Sequence, residues 1–564
     1  MVFIKKNYRR GHNYYTIADG YREGGKVKHR TLLYLGRLDQ LTEEKRKKIE
    51  AIVRELPEEK RSDVESCLST LEIPVVKEQG DVELLYKIAE KLCLRQIINN
   101  NVSKTAGVDV GTQMTILAIN QCLESVALDN IDLWYHHTTL EELYSIPFYN
   151  LNTENLCRAM DYIYEPIIED GRVVDAKDNA LAIKKSIVDR LKELFDIKLD
   201  ALFYDITSTY FEGNGCIIAR LGYSRDGKRD KKQILICLVV TKEHRFPIFY
   251  NVLEGNISDL KTVAQTLSIL QKEFKIEKTL LVLDRGMISP GNLKKLDGTN
   301  YDFIGGLKKD KFVKNLILEA AELEKEENRV RDGMNAVEVV TEYKGKNRKF
   351  VIYLDKKKTT SVKQERDIKL AEAWKGLNEY ALKVNSGKYK NAAKVLSKAK
   401  KLTKGVSTYF KSEIFVEDGF VKIYPKKLEK KIALAEKLDG RYVLFSSDLK
   451  LSKEEIISAY FDKDGIEKAF RNMKQHGMQP TRNTLLNRVK TRVFVGYLAL
   501  LLIATLNFIL KKAGLDISSE RALQYLKWQK KVTLNLNGEI VAKSTVPELE
   551  AQEILKKIDS VKII

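Results

Sequence analysis

Two short apolar runs in this chain stop on a carboxylate, and they constrain the fold more than any other feature. Leu199-Asp200-Ala201-Leu202-Phe203-Tyr204-Asp205 and Lys278-Thr279-Leu280-Leu281-Val282-Leu283-Asp284 have the length and apolar density of buried strands. A carboxylate delivered by such a strand must be solvated, paired or metal-bound, because burying it alone costs several kcal/mol. Two of them on adjacent strands would repel unless a cation lay between them. Taken singly, each Asp has a plainer reading as a cap on a turn, and Asp205 precedes Thr207-Ser208-Thr209, which can form one.

Strand patterns at 233–241, 246–253 and 301–307, with a helical pattern from 259 to 274, place both aspartates in an α/β sheet. Each Asp is expected at, or just past, the end of its strand. Ser289-Pro290 supplies a helix N-cap and a proline at the first helical position. From 310 to 439 the pattern changes to strands at 336–343 and 349–354, a lysine-rich helical stretch, and strands near 413–424. The α/β pattern resumes at 440, so 310–439 reads as an insertion that interrupts one domain formed by 198–309 and 440–515. Residues 1–78 read as a strand-rich region followed by a helix from about 42, residues 79–197 as helical and suited to binding DNA ends, and 516–564 as a tail with little motif content.

The resumed domain leads into Ala459 to Lys474. Wound at about 100° per residue, Tyr460, Lys463, Glu467, Arg471 and Lys474 fall within one sector of roughly 80°, with Ile466, Ala469 and Met473 opposite. A lone carboxylate among cations suits a metal-binding glutamate beside a polyanion, and it equally suits an amphipathic helix with solvated charges. With Asp205 and Asp284 in the same domain, Glu467 completes a set of three oxygen ligands of the kind that holds Mg²⁺ beside phosphates.

The net charge of +20 favours a polyanionic partner, with nucleic acid first and an anionic membrane surface second. No acid occurs between Glu379 and Glu413, where nine lysines lie from Lys383 to Lys411, or between Glu467 and Asp516, where Arg471, Lys474, Arg482, Arg488, Lys490 and Arg492 lie. The six cysteines are scattered without a Cys-x-x-Cys pair and fit buried thiols in a reducing cytoplasm. The first residues lack the apolar core of a signal peptide. Residues 493–510 carry no charge and could span a membrane, but the run is short and contains Gly496, Thr505 and Asn507, so a buried core helix is expected and no membrane association.

Several motifs in order carry a family resemblance. Phe203-Tyr204-Asp205-Ile206-Thr207-Ser208-Thr209-Tyr210-Phe211-Glu212-Gly213 resembles the first catalytic motif of bacterial insertion-sequence transposases of the D-D-E class. Gly222 to Arg229 and Glu254 to Asp259 are similar to its following segments, and Leu283-Asp284-Arg285-Gly286-Met287 to its second catalytic motif. The helix around Glu467 resembles the Tyr-x2-Arg-x3-Glu-x6-Lys signature of the insertion-sequence-four superfamily, with Tyr460, Lys463, Glu467 and Lys474 in those places. The signature Arg is Lys463 here, which keeps the charge and loses the bidentate fork.

The resemblance implies an RNase H-like catalytic domain interrupted by a mixed, partly β insertion. It implies Asp205, Asp284 and Glu467 as catalytic metal ligands for two Mg²⁺ ions, with Mn²⁺ a possible substitute, and Tyr460, Lys463, Arg471 and Lys474 as DNA contacts. The expected activity is cut-and-paste transposition: binding terminal inverted repeats, cutting a phosphodiester to free a 3′-hydroxyl, and joining it to target DNA. A homodimer in the synaptic complex and a bacterial cytoplasmic, nucleoid-associated location are further expectations. The alternatives are a DNA-binding derivative without catalysis and an RNase H-like nuclease without strand transfer. Trp374, the lone tryptophan of the insertion, is a candidate for stacking on a flipped base, but a packing role fits its helical pattern better.

Overall fold

Alternating apolar and polar residues at the N-terminus form an antiparallel meander of β1 (Val2–Arg9), β2 (His12–Glu23) and β3 (Lys26–Gly36). The computed structural model describes residues 2–9, 12–23, 26–36, 72–103, 107–257, 259–463, 481–536 and 539–561. The helix expected from about residue 42 lies outside them. The chain divides into two units, one of residues 1–87, 128–152 and 509–564, the other of 88–127 and 153–508.

In the first unit, β4 (Glu72–Glu78) pairs with a strand from the C-terminal segment described below. In the second, the helix Thr153–Ile163 ends earlier than its apolar pattern suggests, because Pro166 cannot continue it. The chain turns instead into a hairpin of β5 (Tyr164–Glu169) and β6 (Arg172–Asp178). Asp170 and Gly171 supply the turn, with φ of 49° and 72°.

The apolar runs of the second unit build one sheet. Its strands are β7 (Ala201–Tyr210), β8 (Gln233–Thr241), β9 (Pro247–Glu254), β10 (Leu280–Leu283), β11 (Asp302–Gly306), β12 (Arg329–Arg331), β13 (Met334–Tyr343), β14 (Lys346–Asp355) and, after a further hairpin of β15 (Phe410–Glu417) and β16 (Phe420–Lys427), β17 (Arg441–Ser446). The nine-stranded order is β12-β13-β14-β17-β11-β10-β7-β8-β9. β7, β10 and β11 run parallel, and every other pairing in the sheet is antiparallel. On one face Leu202, Tyr204 and Ile206 of β7 and Leu281 and Leu283 of β10 share a core with Val263, Leu267 and Leu270 of helix Asp259–Lys272 and Leu293 and Leu296 of helix Pro290–Leu296. Ser289 caps that second helix through its side chain, with Pro290 in its first turn.

The strands β12 to β14 lie within residues 310–439, yet they extend this sheet because β14 pairs with β17 from Lys349↔Ser446 to Leu354↔Arg441. Residues 356–438 carry a separate core in which Leu370, Leu377 and Val384 of helix Lys356–Asn385 meet Val395 and Ala399 of helix Ala392–Leu402 and Val421 and Ile423 of β16. Trp374 is packed against that core, lying parallel to Phe410 at 6.1 Å with the Lys427 ammonium 5.0 Å from its ring.

The helix Leu486–Lys512 is long and apolar enough to cross a membrane, but 89% of its apolar window is buried inside the protein. Asn487 and Arg488 at its start hydrogen-bond Asp161, and the Thr491 hydroxyl donates to the Met160 carbonyl at 2.9 Å. The C-terminal segment adds β18 (Lys530–Leu536) and β19 (Glu539–Ser544), which form the sheet β19-β18-β4 in the first unit. Among the described residues Cys93, Cys122, Cys157, Cys216 and Cys237 are free thiols.

Candidate active site

Strand register brings the two aspartates together. β10 pairs with β7 in parallel as Leu280↔Ala201, Leu281↔Leu202 and Val282↔Phe203. Asp284 and Asp205 each stand two residues beyond the last of these pairs, so they occupy equivalent positions on neighbouring strands. By the two-residue period, both lie on the face opposite the Leu202, Tyr204 and Leu283 core. Asp284 sits just past β10, as its sequence context suggests. Asp205 does not end its strand, because β7 continues pairing with β8 through Tyr210↔Gln233. The Thr207-Ser208-Thr209 segment is therefore buried strand opposite Ile236, Leu235 and Ile234, not a turn.

The carboxylates have different surroundings. Loss of water pushes the Asp205 carboxyl up to about 6, and the nearby Asp284 charge adds to this, while Lys463, the Ile206 amide and Arg225 pull the other way. The Ile206 N–H donates to Asp205 Oδ1 at 2.8 Å. Partial burial would also raise Asp284, but the charge and hydrogen bond of Lys463, with smaller help from the Arg285 and Gly286 amides, hold it below the ordinary value. Asp284 occupies the N-cap of the turn Arg285–Met287, and its side chain accepts no capping hydrogen bond of ordinary geometry there.

Lys463 Nζ donates to Asp284 Oδ1 at 3.1 Å, and Lys463 is only 5% exposed. It follows the helix Lys453–Asp462, which a capping box between Ser452 and Glu455 starts. Ile456 lies on the same helical face two turns earlier and is fully buried. The face carrying Tyr460 and Lys463 thus points into the protein. Tyr460 reaches over β11, where a Cβ on Gly306 would stand 2.7 Å from the tyrosine hydroxyl. Phe461 is covered by the Arg331 guanidinium at 3.8 Å and meets Tyr353 edge-on.

Glu467, Arg471 and Lys474 lie in residues 464–480, outside the described residues. On the far side of that segment, the Thr481 N–H donates to the Tyr210 carbonyl at 2.9 Å, and Thr481 bridges to Phe211. Among the described residues no three His, Cys, Asp or Glu side chains form a metal-holding group. The pair Asp205 and Asp284 still fits a divalent ion: both are hard oxygen donors on one sheet face, and a lysine ammonium is drawn in beside them.

Sequence reasoning missed the connection between this pair and the loop after β7. The Ser208 hydroxyl donates to Asp226 Oδ2 and accepts from the Arg225 N–H, both at 3.1 Å. Exposed Arg225 is thereby held within electrostatic reach of Asp205. The Gln233 amide ties the loop to the next motif, donating to Tyr223 O at 3.1 Å and Gly255 O at 2.8 Å. Gly255 cannot be replaced there, because a Cβ would stand 2.0 Å from the Gln233 carbonyl oxygen. The two motifs Gly222 to Arg229 and Glu254 to Asp259 signalled this pairing only by their order.

The sequence profile of the family described as Transposase DDE domain matches residues 198–503, more than half of the chain. This chain belongs to the DDE transposase family. Residues 3–67 match the N-terminal domain of IS1634 family transposases. The protein is a DNA transposase, an enzyme of a family that generally uses divalent metal ions. Among solved structures, the chain has 9% identity and a TM-score of 0.35 to a piggyBac transposase synaptic complex with hairpin DNA, covering 79% of each chain. To a Mos1 transposase paired-end complex with left transposon end it has 10% identity and a TM-score of 0.15, covering 38% of this chain and 62% of that one. A search of curated proteins gives no match.

Proposed function

We propose that this transposase excises and inserts its own element by metal-dependent cleavage and strand transfer, with Asp205, Asp284 and Glu467 as the metal ligands. The observation that supports this best is the shared register of Asp205 and Asp284 on β7 and β10. The strand order β9-β8-β7-β10-β11 agrees with an RNase H-like core, in which residues 356–438 are inserted. Glu467 is four residues beyond Lys463, so their Cα atoms are separated by at most about 14 Å. With Lys463 on Asp284 and Thr481 on Tyr210, both flanks of the segment holding Glu467 are tied to the strands that carry the aspartates.

A pair of divalent ions, Mg²⁺ or in its place Mn²⁺, would supply charge neutralisation and an activated attacking oxygen for in-line displacement at phosphorus. The protein's own residues hold and aim. Asp205 and Asp284 are fixed by the β7–β10 ladder, Asp205 further by the Ile206 amide. Arg471 and Lys474 bind the phosphates of the terminal inverted repeats, joined by Lys463 once its ammonium leaves Asp284 and by Tyr460 once its hydroxyl turns from its seat over Gly306. Hydrolysis frees a 3′-hydroxyl, which attacks a target phosphodiester and displaces its 3′-oxygen. Two ends held together imply a homodimer in the synaptic complex, formed in the bacterial cytoplasm. The Tyr460, Lys463, Glu467 and Lys474 spacing supports reading the chain as a member of the insertion-sequence-four superfamily.

The test is cleavage of DNA carrying the element's terminal inverted repeats by purified protein with Mg²⁺. Asp205→Ala should abolish cutting and keep binding. Normal cutting by Asp205→Ala, Asp284→Ala and Glu467→Ala alike would overturn the assignment.

A further inference from the structure

Lys463 combines features that do not belong to an ordinary DNA-contacting lysine. Its side chain is 6% exposed, and its ammonium is directed at Asp284, which is 45% exposed. It interacts electrostatically with both Asp205 and Asp284. Burying an ammonium costs several kcal/mol unless a counter-charge meets it. Two carboxylates in register on adjacent strands have the converse need. Exposed Arg225 interacts with Asp205 from the loop side, so Lys463 supplies the buried part of the compensation.

The backbone that presents Lys463 is well held. The Arg245 guanidinium donates to the Asp462 carbonyl at 3.4 Å, Phe461 is wedged between Arg331 and Tyr353, and Tyr460 is seated over Gly306. The side chain beyond Cα is a flexible four-carbon stem carrying a point charge. Its ammonium can leave Asp284 by rotamer changes while the helix stays in place.

We propose that Lys463 is the built-in counter-cation of the metal-free site, which an incoming divalent ion must displace from Asp205 and Asp284. This inference rests on the reading of those aspartates as metal ligands. The displaced ammonium becomes available to a DNA phosphate, so metal loading and end binding favour one another, and by linkage the effect is reciprocal. Lysine suits this role where arginine would not. The planar, more weakly hydrated guanidinium would hold a carboxylate bidentately and resist displacement.

The experiment is calorimetric titration of Mn²⁺ into the full chain without DNA, comparing wild type, Lys463→Met and the double variant Asp205→Asn/Asp284→Asn. Lys463→Met should bind Mn²⁺ about tenfold or more tightly than wild type, a gain of about 1.4 kcal/mol. A merely structural lysine would give unchanged or weaker binding in Lys463→Met, and either result overturns the proposal. The double variant separates the two ideas: if it binds Mn²⁺ as wild type does, the metal-ligand reading itself fails and the inference with it. Should Lys463→Met not fold, amine acetylation of wild-type Lys463 followed by mass spectrometry decides. Labelling at Lys463 should be several-fold faster with Mn²⁺ than without, and an equal or slower rate overturns the proposal.

Discussion

Lys463 and the lysines of the insertion carry the same charge in very different settings. Lys383, Lys388, Lys390, Lys394, Lys398, Lys400, Lys401, Lys404 and Lys411 are all exposed, in and around helix Ala392–Leu402, whose apolar side is occupied by Val395 and Ala399. Lys463 is buried against Asp284. A third group from the second acid-free run differs again, since Arg488 pairs with Asp161 at 2.9 Å and Lys490 with Asp175 at 3.6 Å inside the same unit. Positive charge in a sequence therefore divides into long-range attraction, local compensation and helix anchoring. Which one applies depends on the carboxylates the fold brings near.

The largest effect bearing on this contrast is on chemistry. Asp284→Ala should lower strand cleavage by about a thousandfold or more, equivalent to at least about 4 kcal/mol of barrier, with end binding in a mobility shift kept within a few-fold. Loss of binding in step with cleavage would instead make Asp284 a structural residue.

A smaller effect concerns Lys463 in the metal-free protein. Lys463→Met should destabilise it by about 1–3 kcal/mol in urea unfolding at pH 7.5, a range reduced for the partial exposure of Asp284. Asp205 has its folded-state value raised to about 6 by burial, so it takes up a proton as the pH falls through that value. Lys463 pulls that value down, so without it Asp205 takes up its proton above pH 6, the repulsion left by Lys463→Met fades, and the loss should shrink as the pH falls from 8 toward 6. A loss that is constant from pH 5 to 8 would contradict the counter-cation role.

The exposed lysines should behave oppositely. Changing Lys394, Lys398, Lys400 and Lys401 together to Gln should weaken DNA binding by about 10- to 100-fold at moderate salt. The slope of log K against log salt should fall by about 0.9 for each phosphate that is no longer neutralised, with stability changing by less than about 0.5 kcal/mol per substitution. An unchanged salt slope would mean that this face is only solvated.

The smallest effect is Asp205→Asn without metal. The raised value means that ionising Asp205 costs the folded state, a cost present above about pH 6 and gone near the unfolded value of about 3.8. The variant should be more stable than wild type by about 1 kcal/mol at pH 7.5, closing to nothing near pH 4.

The strands that carry the aspartates were legible because a short, dense apolar run ending on a charge has few other readings. Their boundaries were less so. Asp205 looked like a strand end because Thr207-Ser208-Thr209 resembles a turn, whereas pairing with Ile234, Leu235 and Ile236 keeps that segment extended. The strands β13 and β14 were visible as strands, but their membership of the main sheet depends on pairing with β17 about ninety residues later, which no local pattern encodes. The helical wheel around Glu467 separated charged from apolar positions without saying which side faces inward. Tyr460 and Lys463 face the sheet because Gly306 leaves room for the tyrosine ring and two carboxylates attract the ammonium. The Asp170-Gly171 hairpin was hidden inside an otherwise helical run, although Pro166 was the available warning.

Whether Asp205 and Asp284 share one cation site can be decided by anomalous diffraction from crystals of the protein with its element-end DNA and Mn²⁺. An anomalous peak in contact with both carboxylates, with the Lys463 ammonium moved off Asp284, is the predicted result. Ordered DNA ends with Lys463 still on Asp284 and no Mn²⁺ between the two strands would contradict a shared site.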